Sequence, residues 1–140
     1  MTTIVRTLEV SAPPDKAYAA LSVPEKWNRW ASFVKQASSN GPKAHWIYNM
    51  GGMRVESDTI VTEAVENARY AFRQTRGFMK SGDTRLEIEP TERGSRIIWT
   101  TEYELPYSYL GKLADKLKAR KQFEVAIDRS VANLEKLLSR

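Results

Sequence analysis

Residues suited to acid–base chemistry are few and scattered in this sequence. The single histidine, His45, falls on the outward side of a predicted strand, near the turn Asn40–Gly41. Arg6 and Glu63 fall on inward positions of their strands, but each could emerge at an end of the sheet. General acid–base catalysis needs a group with a tunable pKa inside a site. Tyr103 is therefore the best candidate for a catalytic hydroxyl.

Other kinds of catalytic chemistry lack the residues they require. The chain has no cysteine, which excludes disulfides, zinc–thiolate sites and thiol nucleophiles. It also has no nucleophile elbow, no phosphate-binding loop and no His/Asp/Glu cluster with the spacing of metal ligands. We therefore predict no metal site and no cofactor, and we favour a binding protein over an enzyme.

Aromatic and neutral polar side chains are better placed to bind a ligand. The alternation of inward and outward residues along the predicted strands collects them on one face of a sheet. Hydroxyl and amide groups among aromatic rings suit a largely apolar molecule with a hydroxyl or carbonyl group. An ordinary packed core is the alternative interpretation. The predicted binding residues are Trp30, Trp46, Tyr48, Met50, Val55, Ser57, Thr59, Tyr70, Phe72, Gln74, Leu86, Trp99, Thr101 and Tyr103, with Leu113, Leu117 and Phe123 from the C-terminal segment.

A glycine-bounded segment is a candidate gate over such a site. Gly77 and Gly82 flank a predicted loop that carries two large apolar residues, Phe78 and Met79. Loops of this kind can open and close over a cavity. The alternative is a long turn whose Phe and Met pack locally.

The elements that must position these residues can be read from the periodicity. Thr2–Val10 alternates as a strand, Pro13-Pro14 opens a helix, and Ser22–Glu25 has the capping-box spacing that begins a second short helix. Turn residues divide the following segment into antiparallel strands. These strands are predicted at roughly 33–39, 44–50, 53–64, 69–76, 83–89 and 95–105.

The segment Tyr107–Arg140 is predicted to be the one long helix. Its two apolar stripes, Leu110–Leu117 and Phe123–Leu138, are out of phase by roughly 110° at about 100° per residue. We therefore expect a break or bend at Lys118–Gln122. The second half should pack on the sheet, and the first half should close the mouth of a cavity.

Composition indicates a soluble globular protein. The 140 residues suit a single domain covering 1–140, and the hydrophobic and charged fractions, 41% and 28%, are ordinary. No apolar run is long enough to span a bilayer, and the N-terminal sequence lacks the pattern of a signal peptide. A cytoplasmic location is the resulting expectation.

The positive charge is concentrated near the C-terminus. The net charge is +5, and residues from 106 onward carry +4 of it. A basic cluster comprises Lys112, Lys116, Lys118, Arg120 and Lys121. It is interpreted first as a solvated helix face and second as a contact for anionic lipid. Specific nucleic-acid binding is not predicted, because no recognition motif accompanies the charge.

Four segments carry a resemblance to a known superfamily. They are LEVSAPPDKAYAALSVPEKWNRW, IVTEAVENARYAFR, SRIIWTTEYEL and LGKLADKLKARKQFEVAIDRSVANLEKLL. Their order resembles the helix-grip fold of the START/SRPBCC superfamily and, within it, the polyketide cyclase/dehydrase and lipid-transport group. The resemblance covers nearly the whole chain.

The resemblance implies an α+β helix-grip fold. A curved, seven-stranded antiparallel sheet would wrap around a long C-terminal helix, with two short helices after strand 1. The cavity between sheet and helix would bind a lipid, an isoprenoid quinone or a polycyclic aromatic molecule. Two alternatives stay open: a polyketide cyclase/dehydratase-like enzyme that uses the same cavity, and a peripheral membrane or interaction module that uses the basic helix.

Overall fold

The computed structural model describes residues 1–106 and 116–139, with the side chains of Lys116 and Leu117 outside the description. Three helical elements are described: α1 (Pro14–Leu21), a 3₁₀ helix (Pro24–Arg29) and α2 (Lys116–Leu138). The strands are β1 (Thr2–Val10), β2 (Val34–Asn40), β3 (Lys43–Met50), β4 (Met53–Val65), β5 (Arg69–Gly77), β6 (Ser81–Thr91) and β7 (Gly94–Glu104).

The strands form one antiparallel sheet in the order β1-β7-β6-β5-β4-β3-β2. Each strand from β2 to β6 pairs with the next strand in sequence, whereas β1 pairs with β7 and places Thr2 opposite Tyr103. The concave face of the sheet packs against the helices and holds the core. The predicted helix-grip fold is confirmed, including the two short helices after β1.

Alternation along the strands decides which side chains face the core. In β7, Ile97, Trp99 and Tyr103 are buried, while Arg96 and Glu102 are exposed. The strand buries its aromatic and aliphatic residues and leaves its charges in water, as an antiparallel sheet with one solvated face requires. The alternation that placed Trp99 and Tyr103 on the inward face of this strand is therefore confirmed.

A bulge in β4 reverses the predicted alternation at its far end. The register with β5 shifts between Val61 and Glu63, so an extra residue is inserted there. Glu63 consequently lies on the convex face, where its carboxylate is 3.2 Å from Arg69 Nε and 3.5 Å from Arg85 Nη2. The prediction that Glu63 occupies an inward position is wrong.

Helix α2 runs without interruption from Lys116 to Leu138. A break at Lys118–Gln122 was predicted wrongly, while a bend there stays a prediction. Ala119 is buried and continues the stripe formed by Phe123, Ile127 and Leu134. A small residue thus extends the buried stripe toward the N-terminus of the helix by one turn. The predicted stripe at 110–117 lies outside the described residues, apart from the backbone of its last two.

Polar contacts fasten α2 at its middle and at its C-terminal end. The fully buried Ser130 hydroxyl accepts the Ser32 backbone N–H at 2.9 Å and donates to the Ala126 carbonyl at 2.7 Å. The Leu138 carbonyl accepts the backbone N–H of Ala12 at 2.9 Å. These bonds tie the helix to the loops on either side of the two short helices.

None of the helices described here has the length and apolar character needed to cross a bilayer.

Candidate functional site

An apolar cavity lies between the concave face of the sheet and α2. Its volume is about 60 Å³, whereas pockets for small organic ligands usually measure roughly 300–1,000 Å³. In this conformation it therefore has room for a few waters but not for a polycyclic molecule. Its walls are formed by Trp27, Phe33, Trp46, Tyr48, Met50, Phe72, Phe78, Met79, Thr84, Trp99, Thr101, Phe123, Ala126 and Ile127.

Many of the predicted binding residues stand on this wall. They are Trp46, Tyr48, Met50, Phe72, Trp99, Thr101 and Phe123, together with the predicted gate residues Phe78 and Met79. Other predicted residues are buried in the same core without lining the cavity: Trp30, Val55, Ser57, Thr59, Tyr70, Leu86 and Tyr103. Gln74 is half-buried beside the gate residues. Leu113 and the side chain of Leu117 lie outside the described residues.

Five wall residues were absent from the predicted binding set. Thr84 lies on the inward side of β6, and Ala126 and Ile127 continue the apolar stripe of α2. The strand and helix periodicities contain the signal for these three. Trp27 and Phe33 come from the 3₁₀ helix and the loop after it, where no strand alternation assigns a direction.

The cavity is small because Trp27 fills the centre of the concave face. Its ring centroid lies 4.5 Å from that of Trp30, 5.2 Å from that of Trp46 and 5.7 Å from that of Trp99. Its indole nitrogen donates to the Leu21 carbonyl at 2.9 Å, so its polar group is satisfied by the end of α1. The 3₁₀ helix thus places the side chain of Trp27 in the space enclosed by the concave face of the sheet.

A pair of threonines supplies two hydroxyl groups on the wall, in addition to that of Tyr48. The indole nitrogen of Trp99 donates to Thr101 Oγ1 at 2.7 Å, and the hydroxyl oxygens of Thr84 and Thr101 are 3.2 Å apart. One threonine donates its hydrogen to the other, whichever way the bond runs. Because each hydroxyl has only one hydrogen, the remaining hydrogen of the pair is left for another acceptor. The pair can therefore donate a hydrogen bond into the cavity.

Two further polar residues of the predicted binding set, Ser57 and Gln74, form hydrogen bonds within the protein. The side-chain oxygen of Gln74 accepts the Ser57 hydroxyl at 3.0 Å and the Met79 backbone N–H at 3.3 Å. Its amide nitrogen donates to the Met79 carbonyl at 2.7 Å. Gln74 thus clamps the turn between β5 and β6. This turn contains only residues 78–80, because Gly77 and Gly82 belong to the strands, so the predicted gate loop is shorter than expected.

The two glycines allow this turn to pack closely. A Cβ atom on Gly77, whose φ is +155°, would lie 2.7 Å from the Glu56 carbonyl and 2.8 Å from Ser57 Cα. A Cβ atom on Gly82 would lie 2.6 Å from Met79 Cε. The side chain of Met79 therefore rests against Gly82, and the backbone at Gly77 leaves no space for a larger residue.

Aromatic rings from β3, β7, the turn after β5 and α2 cluster at one end of the cavity. The Phe123 ring of α2 stacks on Tyr103 with centroids 4.3 Å apart. On the side of the turn, Phe78 lies 6.5 Å from Phe123 and 5.9 Å from Tyr48. The partly exposed Phe78 separates these buried rings from the surface.

Tyr103, the candidate catalytic residue, is buried behind Phe123 and does not line the cavity. Burial raises the pKa of its hydroxyl, and the neighbouring Thr2 and Arg120 oppose that rise. Thr2 is close enough to affect this hydroxyl, but no described group forms a hydrogen bond to it with acceptable distance and angles. Among the tyrosines, Tyr48 does line the cavity, and burial raises its pKa far above the ordinary value. Both groups are therefore neutral near pH 7.

The other candidate ionisable residues are engaged away from the cavity. Arg6 Nε donates to Asp128 Oδ1 at 2.6 Å, so its side chain fastens β1 to α2. His45 points outward, as predicted, with Nδ1 2.6 Å from Asp58 and Nε2 2.9 Å from Glu56. These hydrogen bonds, the one to Asp58 first, raise the pKa of His45.

Comparison with solved structures places the fold among known proteins. TTHA0849 from Thermus thermophilus matches with a TM-score of 0.81 and 20% identity, covering 96% of this chain and 95% of that one. A START superfamily protein from Mycobacterium smegmatis matches at 0.69 and 17% identity, covering 94% and 98%. The di-domain ARO/CYC StfQ from the steffimycin biosynthetic pathway matches at 0.76 and 14% identity, covering 97% of this chain and 50% of that one.

Sequence comparison gives the family directly. No curated protein matches the chain at a significant level. The family model described as polyketide cyclase / dehydrase and lipid transport matches residues 1–139, the range in which the four resembling segments occur. The chain therefore belongs to the polyketide cyclase/dehydrase and lipid-transport family.

Proposed function

We propose that this protein binds a small, planar, apolar molecule with a hydrogen-bond acceptor in the cavity between sheet and α2. The observation that supports this most directly is the composition of the cavity wall. It consists mainly of aromatic and aliphatic side chains, and the Thr84–Thr101 pair adds one hydroxyl hydrogen that is left for an acceptor. The rings of Trp46 and Phe72 stack on each other with centroids 5.3 Å apart and an inclination of 18°, so together they add aromatic surface to this wall. Family and fold support this class of ligand, since both indicate a hydrophobic-ligand-binding or cyclase-like domain.

Binding requires the cavity to widen. The wall best suited to move is the turn at 78–80, which contributes Phe78 and Met79. Met79 is unbranched and can change rotamer, while Phe78 is already partly exposed. The Gln74 clamp would hold the turn backbone while these two side chains swing aside. We therefore retain Gly77, Phe78, Met79 and Gly82 as the proposed gate.

The cyclase/dehydratase alternative needs an ionisable group that reaches the substrate. Arg6 and Glu63 are paired elsewhere, which leaves Tyr48 as the ionisable side chain on the described wall. Its raised pKa makes it a hydrogen-bond donor rather than a base near pH 7. The geometry therefore supports binding more directly than proton abstraction.

Fluorescence titration with two matched probes tests the proposal. 1,4-Naphthoquinone is flat and carries carbonyl acceptors, whereas naphthalene has the same ring system without them. The absence of cysteine removes thiol addition to the quinone as a complication. Saturable quenching of the buried tryptophans by the quinone is the expected result, and native mass spectrometry of the purified protein should reveal a co-purifying apolar molecule.

Variants of the threonine pair separate specific recognition from general hydrophobicity. Replacing both Thr84 and Thr101 by valine should weaken quinone binding about fivefold, because roughly 1 kcal/mol of hydrogen bonding is lost, and leave naphthalene unaffected. Thr100→Val, on the convex face, is the matched control. If neither probe binds saturably, the proposed site is excluded. If the double variant lowers the affinity for both probes equally, the role of the hydroxyl pair is excluded.

A further inference from the structure

The outer face of α2 carries a row of positive charges. Lys121, Arg129 and Lys136 recur at intervals of eight and seven residues, and Lys118 and Val125 share their side of the helix. All five side chains are exposed, on the side opposite the buried stripe. From Lys118 to Lys136 the row extends over about 27 Å at 1.5 Å per residue.

Two carboxylates of the same helix are engaged outside this row. Glu124 is 2.9 Å from Arg120, and Asp128 is 2.6 Å from Arg6 of the first strand. Both acidic residues are thus held by arginines that lie beside the row rather than in it. Within the described part of the chain, Lys121, Arg129 and Lys136 have no carboxylate in ion-pair contact.

We propose that this row docks the protein on a membrane surface containing anionic phospholipid. The positive charges complement lipid phosphates over the length of the helix. Val125, with 48% of its surface exposed, lies in the middle of the row and could enter the boundary between headgroups and acyl chains. An aliphatic residue at that position has no comparable use against a nucleic-acid backbone, and the row contains no aromatic ring for base stacking.

Such docking is reversible and sensitive to salt. A cation near an anionic bilayer contributes about a fivefold increase in affinity, so the three unpaired cations together contribute on the order of a hundredfold. Added salt should weaken the attraction, because the Debye length falls to about 8 Å at physiological ionic strength. The docking surface is independent of the cavity, so it stands or falls separately from the proposed ligand.

Vesicle co-sedimentation tests the docking surface. Wild-type protein should sediment with vesicles of phosphatidylcholine and phosphatidylglycerol and stay in solution with phosphatidylcholine alone. The triple variant Lys121→Glu/Arg129→Glu/Lys136→Glu should lose more than roughly a hundredfold in affinity for the anionic vesicles, because three attractive charges are removed and three repulsive ones are added. A control triple variant, Lys43→Glu/Arg54→Glu/Arg73→Glu, makes the same change in net charge on the convex face of the sheet and should bind nearly as well as wild type.

Three results would overturn the proposal. They are failure of the wild-type protein to bind anionic vesicles, equal losses in the two triple variants, and tighter binding to duplex DNA than to anionic vesicles at the same salt concentration. Circular dichroism of both triple variants establishes that the fold is intact. If the helix variant is unfolded, the single changes Lys121→Gln, Arg129→Gln and Lys136→Gln replace it, each with an expected loss of about fivefold.

Discussion

Removing the hydroxyl of Tyr103 should make the protein more stable. Tyr103 is 3% exposed, and its hydroxyl has no hydrogen-bond partner among the described residues. A buried polar group in this situation costs about 1–3 kcal/mol, because it loses its bonds to water on folding and gains none. Tyr103→Phe deletes that cost and keeps the ring that stacks on Phe123 at 4.3 Å. We expect the free energy of unfolding to rise by at least about 1 kcal/mol.

Urea unfolding followed by tryptophan fluorescence provides the measurement. For a chain of this size a gain of about 1 kcal/mol corresponds to an increase in Tm of roughly 3–4 °C. The urea midpoint should rise with an unchanged m-value, which would show that stability rather than compactness has changed. Tyr70→Phe is the control, since Tyr70 is also buried but its hydroxyl is not among the orphaned atoms.

The reasoning fails if Tyr103→Phe leaves stability unchanged within about 0.5 kcal/mol or lowers it. Such a result would mean that the hydroxyl forms a hydrogen bond in the protein that compensates for its lost hydrogen bonds to water. Thr2 is the nearest candidate for that partner. A gain in stability would instead mark an unused donor beside the cavity. Natural proteins keep such costs chiefly where a polar group serves a function.

Three other substitutions test separate parts of the structure. Ser130→Ala should lower the free energy of unfolding by about 1–2 kcal/mol in urea, because the Ser32 N–H loses its acceptor; an unchanged midpoint would contradict this. Gly77→Ala should cost more than about 1 kcal/mol, since its Cβ would meet backbone atoms, and a neutral result would show that the turn can shift. His45→Gln should reduce stability below about pH 6.5 by less than about 1 kcal/mol, because the raised pKa stabilises protonated His45 and its side chain is 43% exposed. That difference should vanish as the pH rises through the raised pKa; a difference of the same size at about pH 9 would rule out protonation as its cause.

The regular parts of the fold could be predicted from the sequence because each has a strong local signal. The turns at Gly41, Gly51-Gly52 and Asn67 adopt positive φ, as their residue types indicate, and they fix the lengths of the strands between them. With the strands fixed, alternation assigned the inward residues of β7 correctly. The strand-borne aromatic residues of the cavity wall, Trp46, Tyr48, Phe72 and Trp99, followed from the same alternation.

What the sequence did not reveal depends on contacts between distant residues. The bulge at Val61 and Glu63 has no local signature, yet it moves one carboxylate to the other face of the sheet. The role of Gln74 is set by a turn that folds back on it. Trp27 fills the centre of the core from a 3₁₀ helix, so a cavity expected from the number of aromatic residues is mostly occupied by one of them.

The pairing of the first strand with the last constrains the order in which the chain can fold. Strands β2 to β7 form successive hairpins, so each can pair as soon as its neighbour leaves the ribosome. In contrast, β1 needs β7, with Thr2 opposite Tyr103, and Ala12 needs the Leu138 carbonyl at the end of α2. Such distant contacts slow folding, because a long loop must close before they form. During synthesis the apolar face of β1, with Ile4 and Leu8, therefore lacks its partner strand until β7 has been made. We expect a chaperone to act on this segment first.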